Sequence, residues 1–323
     1  MIDHDIKIIT FGAATQDVFL QGKALAAKRD VRTRDSVEQF PLGSKTDIDG
    51  IVFDTGGGAT NAAVTFARQG LNAGYIGKIG HDPAGIEIMR VLKRENVETD
   101  RVIYDTRLST GYSTILIAPN GERAILTHRG ASHELASKEI AIRNLEADWF
   151  YISTLNGNFD LLEKLLKHAN THGIQVAIDP GHGELSQPKK LRALLPLITI
   201  LKANAEELRL IFGGDNLKQT VIAANGICPY VVGTNGGGGS YAVATGKLFQ
   251  AGIYQKVKVI DRTGAGDAFG SGFVAAIAMG SAIEDAISLG SANATSVVTK
   301  IGAKPGILTT NRIRRMKVKV TIL

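Results

Sequence analysis

Short apolar runs that end at glycine or at a polar residue recur along this chain, and each predicts a buried β-strand. Stretches with apolar residues three and four positions apart lie between them and predict helices. The predicted strands cover residues 6–12, 51–53, 174–178, 197–201 and 230–233. The predicted helices cover residues 59–68, 83–94, 161–172, 205–212 and 268–279.

Capping and turn residues indicate where several of these elements begin and end. The Asp-Pro pair at residues 82–83 is typical of a helix N-terminus. We expect Asp160 to cap the helix that Gly173 closes. The Asn-Gly pair at residues 120–121 separates two runs of β-forming residues and predicts a hairpin. The two hairpin strands are expected at residues 111–118 and 122–127.

The second half of the chain alternates strand and helix, which predicts an α/β fold. We expect a mostly parallel central sheet with helices on both faces and functional loops at the carboxyl ends of its strands. Residues 18–55 and 106–129 interrupt this pattern with charged or β-rich sequence. We therefore assign residues 1–17, 56–105 and 130–323 to the α/β domain and the two interruptions to a small β-sheet.

Composition and charge are those of an ordinary globular protein. Of its 323 residues 44% are hydrophobic and 21% charged, and no stretch reaches the roughly 18 apolar residues of a membrane span. The net charge of +6 comes mostly from a basic tail at residues 311–323, so we do not expect nucleic acid as a partner. The single Cys228 and the absence of a signal-like leader predict a cytoplasmic protein.

The segment from Asp261 to Asp267, Asp-Arg-Thr-Gly-Ala-Gly-Asp, carries the clearest chemistry. Its glycines free backbone N–H groups to face a ligand, and the helix that follows adds the positive end of its dipole, so the segment suits a phosphate. Asp267 could then accept a proton from an attacking hydroxyl. Taken alone, such a segment is more often a strand end followed by a capping aspartate. The assignment therefore depends on the rest of the chain.

Two common nucleotide-binding motifs do not occur. No Gly-x-x-x-x-Gly-Lys-Ser/Thr segment is present, which disfavours a P-loop kinase. The early Gly-Ala-Ala at residues 12–14 does not fit the Gly-x-Gly-x-x-Gly pattern of nicotinamide dehydrogenases. The glycine-rich turn near the carboxyl end remains the candidate phosphate site.

Five motifs in order resemble the signatures of the PfkB (ribokinase-like) carbohydrate kinase family, from Phe11 to about Gly306. The motifs are Asp17 after the first strand, Gly56-Gly57 followed by Asn61, Asn204 with Glu207, the glycine loop 234–239, and Asp261 to Asp267. The resemblance implies a ribokinase-like fold with a β-sheet lid. It also implies ATP and Mg²⁺ as cofactors and transfer of a phosphoryl group to a hydroxyl of a small sugar.

The resemblance further implies a role for each matched residue. The catalytic set is Asp267 as base with an anion hole from the backbone of Gly264, Ala265 and Gly266. The acceptor set is Asp17, Gly57, Gly58 and Asn61. The nucleotide set is Asn204, Thr234, Gly236, Gly239 and Asn293. The metal set is Glu207 for Mg²⁺ through water, with Asp261 and Thr263 for a K⁺ ion.

The identity of the acceptor stays open at this point. Relatives that act on sugar phosphates often have lysine where this chain has Gly58, which weakens the case for a phosphorylated acceptor, although Arg129 could contact an anion. Ribose, a ketohexose such as fructose and a keto-deoxy sugar acid all fit. A nucleoside kinase is the alternative within the family, and a sugar- or nucleotide-binding protein without turnover is the alternative outside the enzymes.

The two interruptions of the α/β pattern also find a place in this family. Its members cover the substrate with a lid built from two excursions of the main domain, and some lids pair between subunits. The resemblance therefore assigns residues 18–55 and 106–129 to the lid. It also predicts a homodimer formed through that lid.

Overall fold

The computed structural model describes residues 6–30, 32, 35–119, 123–254, 257–310 and 318–323. The strands in chain order are β1 (Lys7–Phe11), β2 (Thr15–Gln21), β3 (Lys28–Arg29), β4 (Ser36–Val37), β5 (Gly50–Gly56), β6 (Asn72–Ile76), β7 (Lys78–Gly80), β8 (Ile103–Asp105), β9 (Gly111–Ile117), β10 (Arg123–His128), β11 (Trp149–Ile152), β12 (Gln175–Ile178), β13 (Ile200–Asn204), β14 (Tyr230–Thr234), β15 (Ser240–Ala244), β16 (Lys247–Ala251) and β17 (Val320–Ile322). The helices are α1 (Gly58–Arg68), α2 (Pro83–Arg94), α3 (Phe159–His172), α4 (His182–Leu185), α5 (Pro188–Leu194), α6 (Ala205–Phe212), α7 (Leu217–Ala223), α8 (Ala265–Ala278) and α9 (Ile283–Val297). None of the helices in these ranges is long and apolar enough to cross a membrane.

Over the described residues, the larger sheet has nine strands in the order β17-β16-β15-β14-β13-β12-β11-β1-β6. Neighbours from β14 to β6 are parallel, and β15, β16 and β17 add antiparallel strands at one edge. Adjacent strand residues point to opposite faces, so Ile8 joins the apolar core that includes α1, α8 and α9, and Ile9 joins the core that includes α3, α6 and α7. The predicted fold class is confirmed.

A second, four-stranded sheet has the order β10-β9-β2-β5. Strand β2 pairs antiparallel with β5 and parallel with β9, which brings the two interruptions of the α/β pattern together. The boundary placed after residue 17 falls inside β2, which already begins at Thr15. Asp17 therefore belongs to the small sheet, because its backbone pairs with Asp54 of β5.

Several local predictions agree with the structure. Asp82 caps α2 by accepting the N–H of Gly85 at 2.8 Å, with Pro83 as the first helical residue. Gly173 closes α3 in the left-handed conformation, with φ of 71°. Strands β9 and β10 pair antiparallel as the hairpin requires, and its turn at residues 120–122 lies outside the described residues.

The strand predicted at residues 197–201 begins later than expected. Residues Leu195–Leu197 form a 3₁₀-helix, and the strand β13 starts only at Ile200. Leu197 belongs to that 3₁₀-helix, which has Pro196 in its first turn, where proline is tolerated because no N–H is needed. The strand then continues to Asn204, so this residue stands at the carboxyl edge of the sheet.

The cap of α3 is also different from the prediction. Asn158 accepts the N–H of Leu161 at 3.1 Å and is the N-cap, whereas Asp160 lies in the first turn and bonds to Lys164. Asn158 and Asp160 are both good capping residues, so sequence alone did not separate them. The carboxylate of Asp160 still lies near the positive end of the helix dipole.

The C-terminal tail carries most of the net positive charge of the chain. Its basic stretch at residues 311–317 lies outside the described residues. The residues after it form β17, which pairs antiparallel with β16 from Phe249 to Ala251. This end of the chain therefore extends the larger sheet.

Candidate active site

Asp261 holds the catalytic segment to the turn that follows α9. One oxygen of its buried carboxylate accepts the N–H and the hydroxyl of Thr263 at 2.9 and 2.7 Å. The other oxygen accepts the N–H of Gly302 at 3.0 Å. Both carboxylate oxygens are thus used to shape the loop, and the prediction that Asp261 and Thr263 hold K⁺ remains untested.

Gly264 begins helix α8 in a conformation that favours glycine. Its φ is 75°, and a Cβ at this position would lie 2.4 Å from the Cβ of Ala303. Ala265 and Gly266 form the first turn, whose N–H groups have no partner within the helix, and the N–H of Ala265 donates to the carbonyl of Arg262 at 3.3 Å. Gly264, Ala265 and Gly266 therefore form the turn that begins α8, and their role as an anion site remains a prediction. Helix α8 starts three residues before the predicted start at residue 268.

Asp267 lies in that first turn and is half-buried. Its Oδ2 accepts a hydrogen bond at 2.8 Å from Nδ2 of Asn61, which lies in α1. Its Oδ1 faces Gly58, since a Cβ there would lie 3.4 Å from it. Asn61 therefore holds one carboxylate oxygen of Asp267, and the other oxygen faces Gly58, which has no side chain.

Lys304 is a functional candidate that the sequence analysis missed. Its side chain is buried, and Nζ donates to the carbonyl of Thr55, the hydroxyl of Thr60 and Asn61 Oδ1 at 2.6, 3.0 and 2.7 Å. Burial lowers the pKa of Lys304 to about 8, against the opposing effect of nearby carboxylates such as Asp54. The sequence Gly-Ala-Lys-Pro-Gly at residues 302–306 could have drawn attention to this lysine. It does not indicate which groups the ammonium contacts.

Two carboxylates of the small sheet face this ammonium. Asp17 and Asp54 are direct cross-strand partners on β2 and β5, so their side chains point to the same face. Burial raises the pKa of Asp17 to about 6, although Lys304 and a hydrogen bond from Thr15 favour the charged form. Burial also raises the pKa of Asp54, with Lys304 again opposing it. Asp54 was not predicted as a site residue.

The glycines at residues 56–58 allow the chain to pass close to these groups. A Cβ at Gly56 would lie 2.0 Å from Asp17 Oδ2, and one at Gly57, whose φ is 97°, would lie 2.3 Å from the carbonyl oxygen of Ala13. At Gly58 a Cβ would lie 2.3 Å from Ser153 Oγ. Ser153 follows β11 at the carboxyl edge of the sheet, so its hydroxyl also borders the site.

A second buried lysine lies beside the anion site. Lys202 of β13 contacts both oxygens of Asp179 at 3.1 and 2.8 Å, and a Cβ at Gly266 would lie 3.2 Å from its Nζ. Burial disfavours the ammonium, but the carboxylates of Asp179 and Asp267 outweigh that effect and raise the pKa of Lys202. The cation therefore adds positive potential where the N–H groups of α8 begin.

The residues expected on the nucleotide side occupy the ends of β13 and β14. Asn204 caps α6 by accepting the N–H groups of Glu206 and Glu207, and Glu207 accepts the N–H of Asn204 at 2.7 Å. This reciprocal capping box explains the pair structurally. It places the carboxylate of Glu207 at the carboxyl edge of the sheet.

The glycine loop starts where β14 ends at Thr234, and its residue Gly236 is exposed. Gly239 has a φ of 82°, and a Cβ there would lie 2.2 Å from the carbonyl oxygen of Ala251. Gly239 is therefore needed for packing against β16. The exposed part of the loop is open to a ligand.

The last two predicted positions, Asn293 and Arg129, differ in exposure. Asn293 is fully buried: it donates to the carbonyl of Ala268 at 2.8 Å and accepts the N–H of Leu308 at 2.9 Å. This placement argues against the predicted contact with adenine, because both ends of the amide are used inside the protein. Arg129 is exposed after β10, and its proposed contact with an anionic acceptor remains a prediction.

Fold and site together define a ribokinase-like protein. The structure is similar to the nucleoside kinase of Methanocaldococcus jannaschii, with a TM-score of 0.77 and 23% identity, over 95% of this chain and 96% of that one. It is also similar to a putative ribokinase II from E. coli in complex with ATP and Mg²⁺, with a TM-score of 0.78 and 18% identity, over 96% and 98% of the two chains. Similarity at this identity establishes the shared fold.

The sequence itself identifies the family. Residues 31–310 match the model of the pfkB family carbohydrate kinases, so the chain belongs to that family. It is 28% identical over 264 residues to the ribokinase of Haemophilus influenzae. The aligned residues cover 79% of this chain and 84% of that protein. The chain is therefore an enzyme, a phosphotransferase of the carbohydrate kinase type.

The shape of the anion site can be tested with two alanine substitutions. Gly264 and Gly280 both have a φ of 75°, but a Cβ at Gly280 meets nothing within 4 Å. We expect Gly280→Ala to lower the free energy of unfolding by about 1 kcal/mol, the cost of the left-handed backbone. Gly264→Ala should cost about 2–4 kcal/mol because it adds the clash with Ala303. Equal losses in urea denaturation would contradict this account.

Proposed function

We propose that this protein transfers the terminal phosphoryl group of ATP to a hydroxyl of a neutral sugar, with Asp267 as the catalytic base. The observation that carries the proposal is the position of Asp267 in the first turn of α8, with one carboxylate oxygen held by Asn61. The N–H groups of Gly264, Ala265 and Gly266 begin the same turn. A base and an anion site thus lie side by side.

In the proposed reaction the acceptor hydroxyl lies near the Oδ1 of Asp267 and attacks the phosphorus in line with the leaving oxygen. An alcohol is a far weaker acid than a carboxylic acid, so the proton moves to Asp267 late, as the new P–O bond forms. The backbone N–H groups around Gly264 and the ammonium of Lys202 stabilise the negative charge on the transferring group. Positioning and electrostatics supply most of the rate enhancement.

Mg²⁺ fits this site as a companion of ATP. When bound, it would neutralise negative charge on the phosphates of ATP. Within the described residues no cluster of three or more His, Cys, Asp or Glu forms a ready-made metal site. Mg²⁺ keeps several waters and needs few protein ligands, so Glu207 would hold it through water. Solvent access to the exposed Gly236 loop suits the nucleotide itself.

The charges on the acceptor side favour a neutral polyol. Asp17 and Asp54 face this side, and the three N–H groups of Lys304 are taken by protein acceptors. No lysine stands at Gly58, where Ser153 leaves no room for a side chain. A phosphate or carboxylate on the acceptor would meet net negative charge. A pentose or ketohexose therefore fits better than a sugar acid.

The catalytic assignment is tested by Asp267→Asn. We expect kcat to fall by roughly 10²–10⁴, the usual loss for a positioned base. ATP binding and thermal stability should change little, because asparagine keeps the shape of the side chain. The assay is ADP release with Mg²⁺-ATP over a panel of pentoses, hexoses, sugar acids, sugar phosphates and nucleosides.

Each outcome of this panel bears on the proposal. A signal with a pentose or ketohexose that is lost in the variant supports it. A signal confined to nucleosides would favour the nucleoside kinase alternative, and one confined to charged sugars would contradict the neutral acceptor. An unchanged kcat in Asp267→Asn would remove Asp267 as the base. ATP binding without turnover of any acceptor would favour the binding protein.

Acceptor affinity should depend on pH through Asp17. Its pKa of about 6 means that the carboxylate gains a proton as the pH falls through 6, and the protonated oxygen then donates where the carboxylate could only accept. We expect the KM for the acceptor to rise between pH 7 and pH 5 while the KM for ATP stays nearly constant. Asp17→Asn should have a high acceptor KM at both pH values. A wild-type acceptor KM that is independent of pH would refute this role.

We also propose that the small sheet acts as the lid and that two lids pair in a homodimer. Phe53 and Leu126 are each 64% exposed, and the register Phe53–Val18–Thr114–Leu126 places them on one face, opposite to Asp17. An apolar face of this kind is typical of an interface. On the other face, closure over the acceptor would exclude water, which competes for the phosphoryl group.

Sedimentation velocity tests the dimer. The wild type should sediment as a dimer at micromolar concentration, and Phe53→Glu should shift it to monomer, because a carboxylate cannot be buried unpaired. Leu210→Glu is the matched control, since Leu210 on α6 is 60% exposed outside the lid. A monomeric wild type would refute the proposal. Activation by K⁺ and a cytoplasmic location remain predictions.

A further inference from the structure

Lys304 connects parts of the chain that are far apart in sequence. It lies in the turn after α9 and is only 3% exposed. Its ammonium reaches the carbonyl of Thr55 at the end of β5 and the side chains of Thr60 and Asn61 on α1. An ammonium has three N–H donors, and all three are used here. Lys304 is therefore built into the protein and has no donor left for a ligand.

Asn61 lies between this cation and the catalytic carboxylate. Its Oδ1 accepts from Lys304 Nζ at 2.7 Å, and its Nδ2 donates to Asp267 Oδ2 at 2.8 Å. An ammonium can only donate and a carboxylate can only accept. The amide of Asn61 thus has a single orientation that satisfies both neighbours. Without the cation, Asn61 Oδ1 would lose its donor, and the amide would be held only through its contact with Asp267.

The charges around Lys304 require a cation at this position. Asp17 and Asp54 face it from β2 and β5, and Asp267 faces it from α8. Glu95 at the end of α2 also acts on Lys304, and it forms an ion pair with Arg68 of α1. Carboxylates that oppose each other across two strands are destabilising, and a buried carboxylate without a counter-charge is costly. The ammonium of Lys304 therefore offsets part of the negative charge of these carboxylates.

We propose that Lys304 is a positioning residue for phosphoryl transfer: by fixing the amide of Asn61, it holds Asp267 in the orientation in which its free oxygen faces the acceptor. This inference rests on the proposed kinase function. Lys304 acts through Asn61 and does not touch the acceptor or ATP. Its loss should therefore lower kcat much more than it changes the KM for ATP.

The test is a double-mutant cycle in the full-length protein, with Lys304→Met, Asn61→Ala and both together. We expect Lys304→Met to lower kcat about 10- to 100-fold, the effect of a lost hydrogen bond to a charged group. If Lys304 acts through Asn61, adding Lys304→Met to Asn61→Ala should lower kcat no further. Fold losses that multiply in the double variant would overturn the proposal, as would an unchanged kcat in Lys304→Met.

A matched lysine separates this effect from lost stability. Lys78 is also buried and contacts Asp105 and Glu139, each at 2.9 Å. Lys78→Met should lower stability but leave the kcat of the folded protein unchanged. If Lys304→Met does not fold, Lys304→Gln takes its place, because its amide keeps a donor for Asn61. Where both fold, Lys304→Gln should recover part of the kcat lost in Lys304→Met.

A spectroscopic measurement keeps the inference testable even if no acceptor is found. In protein labelled with ¹⁵N at asparagine, the side-chain amide of Asn61 should give a slowly exchanging, shifted pair of signals, assigned by their loss in Asn61→Ala. Lys304→Met should shift these signals and speed their exchange with water, and Lys78→Met should leave them unchanged. Unaltered Asn61 signals in Lys304→Met would refute the proposal, whereas silence across the acceptor panel would refute only the kinase function.

Discussion

A buried ammonium requires acceptors and carboxylates in place of the water it has lost, and this requirement shapes the centre of the molecule. Lys304 finds its acceptors on two segments, the end of β5 and the first turn of α1. These segments supply enough acceptors only when the small sheet lies against that helix. Asn61 extends the same network to Asp267. Packing between the two parts of the fold and the orientation of the candidate base are therefore linked.

Charge is distributed unevenly across the site. On the phosphate side, the N-terminus of α8 and the ammonium of Lys202 add positive potential. On the acceptor side, Asp17 and Asp54 add negative charge that Lys304 only partly balances. Such an arrangement suits the proposed reaction of an anionic donor with a neutral acceptor. It arises because the small sheet contributes the two carboxylates from β2 and β5, whereas α8 and β13 contribute the positive groups.

Elements defined by local chemistry followed the sequence closely. The cap at Asp82 and the left-handed Gly173 depend on a few neighbouring residues, and both occur as predicted. The errors arose where two local signals competed. Asn158 and Asp160 can each cap a helix, and the apolar run at residues 197–201 concealed a 3₁₀-helix that extends to Leu197. The burial of Asn293 was not predicted for another reason, since it depends on how the helices pack.

The sequence by itself determined the class of protein and the glycine turn at Gly264, because the motifs demand particular backbone shapes over a few residues. Only the tertiary structure decided which side chains surround that turn. Lys304 and Thr55 are 249 residues apart, and Asn61 and Asp267 are 206 apart. The sequence around a charged residue does not indicate which distant residues it will contact. These contacts form because the fold buries the polar groups away from water, and each buried group then needs a hydrogen-bond partner among its neighbours.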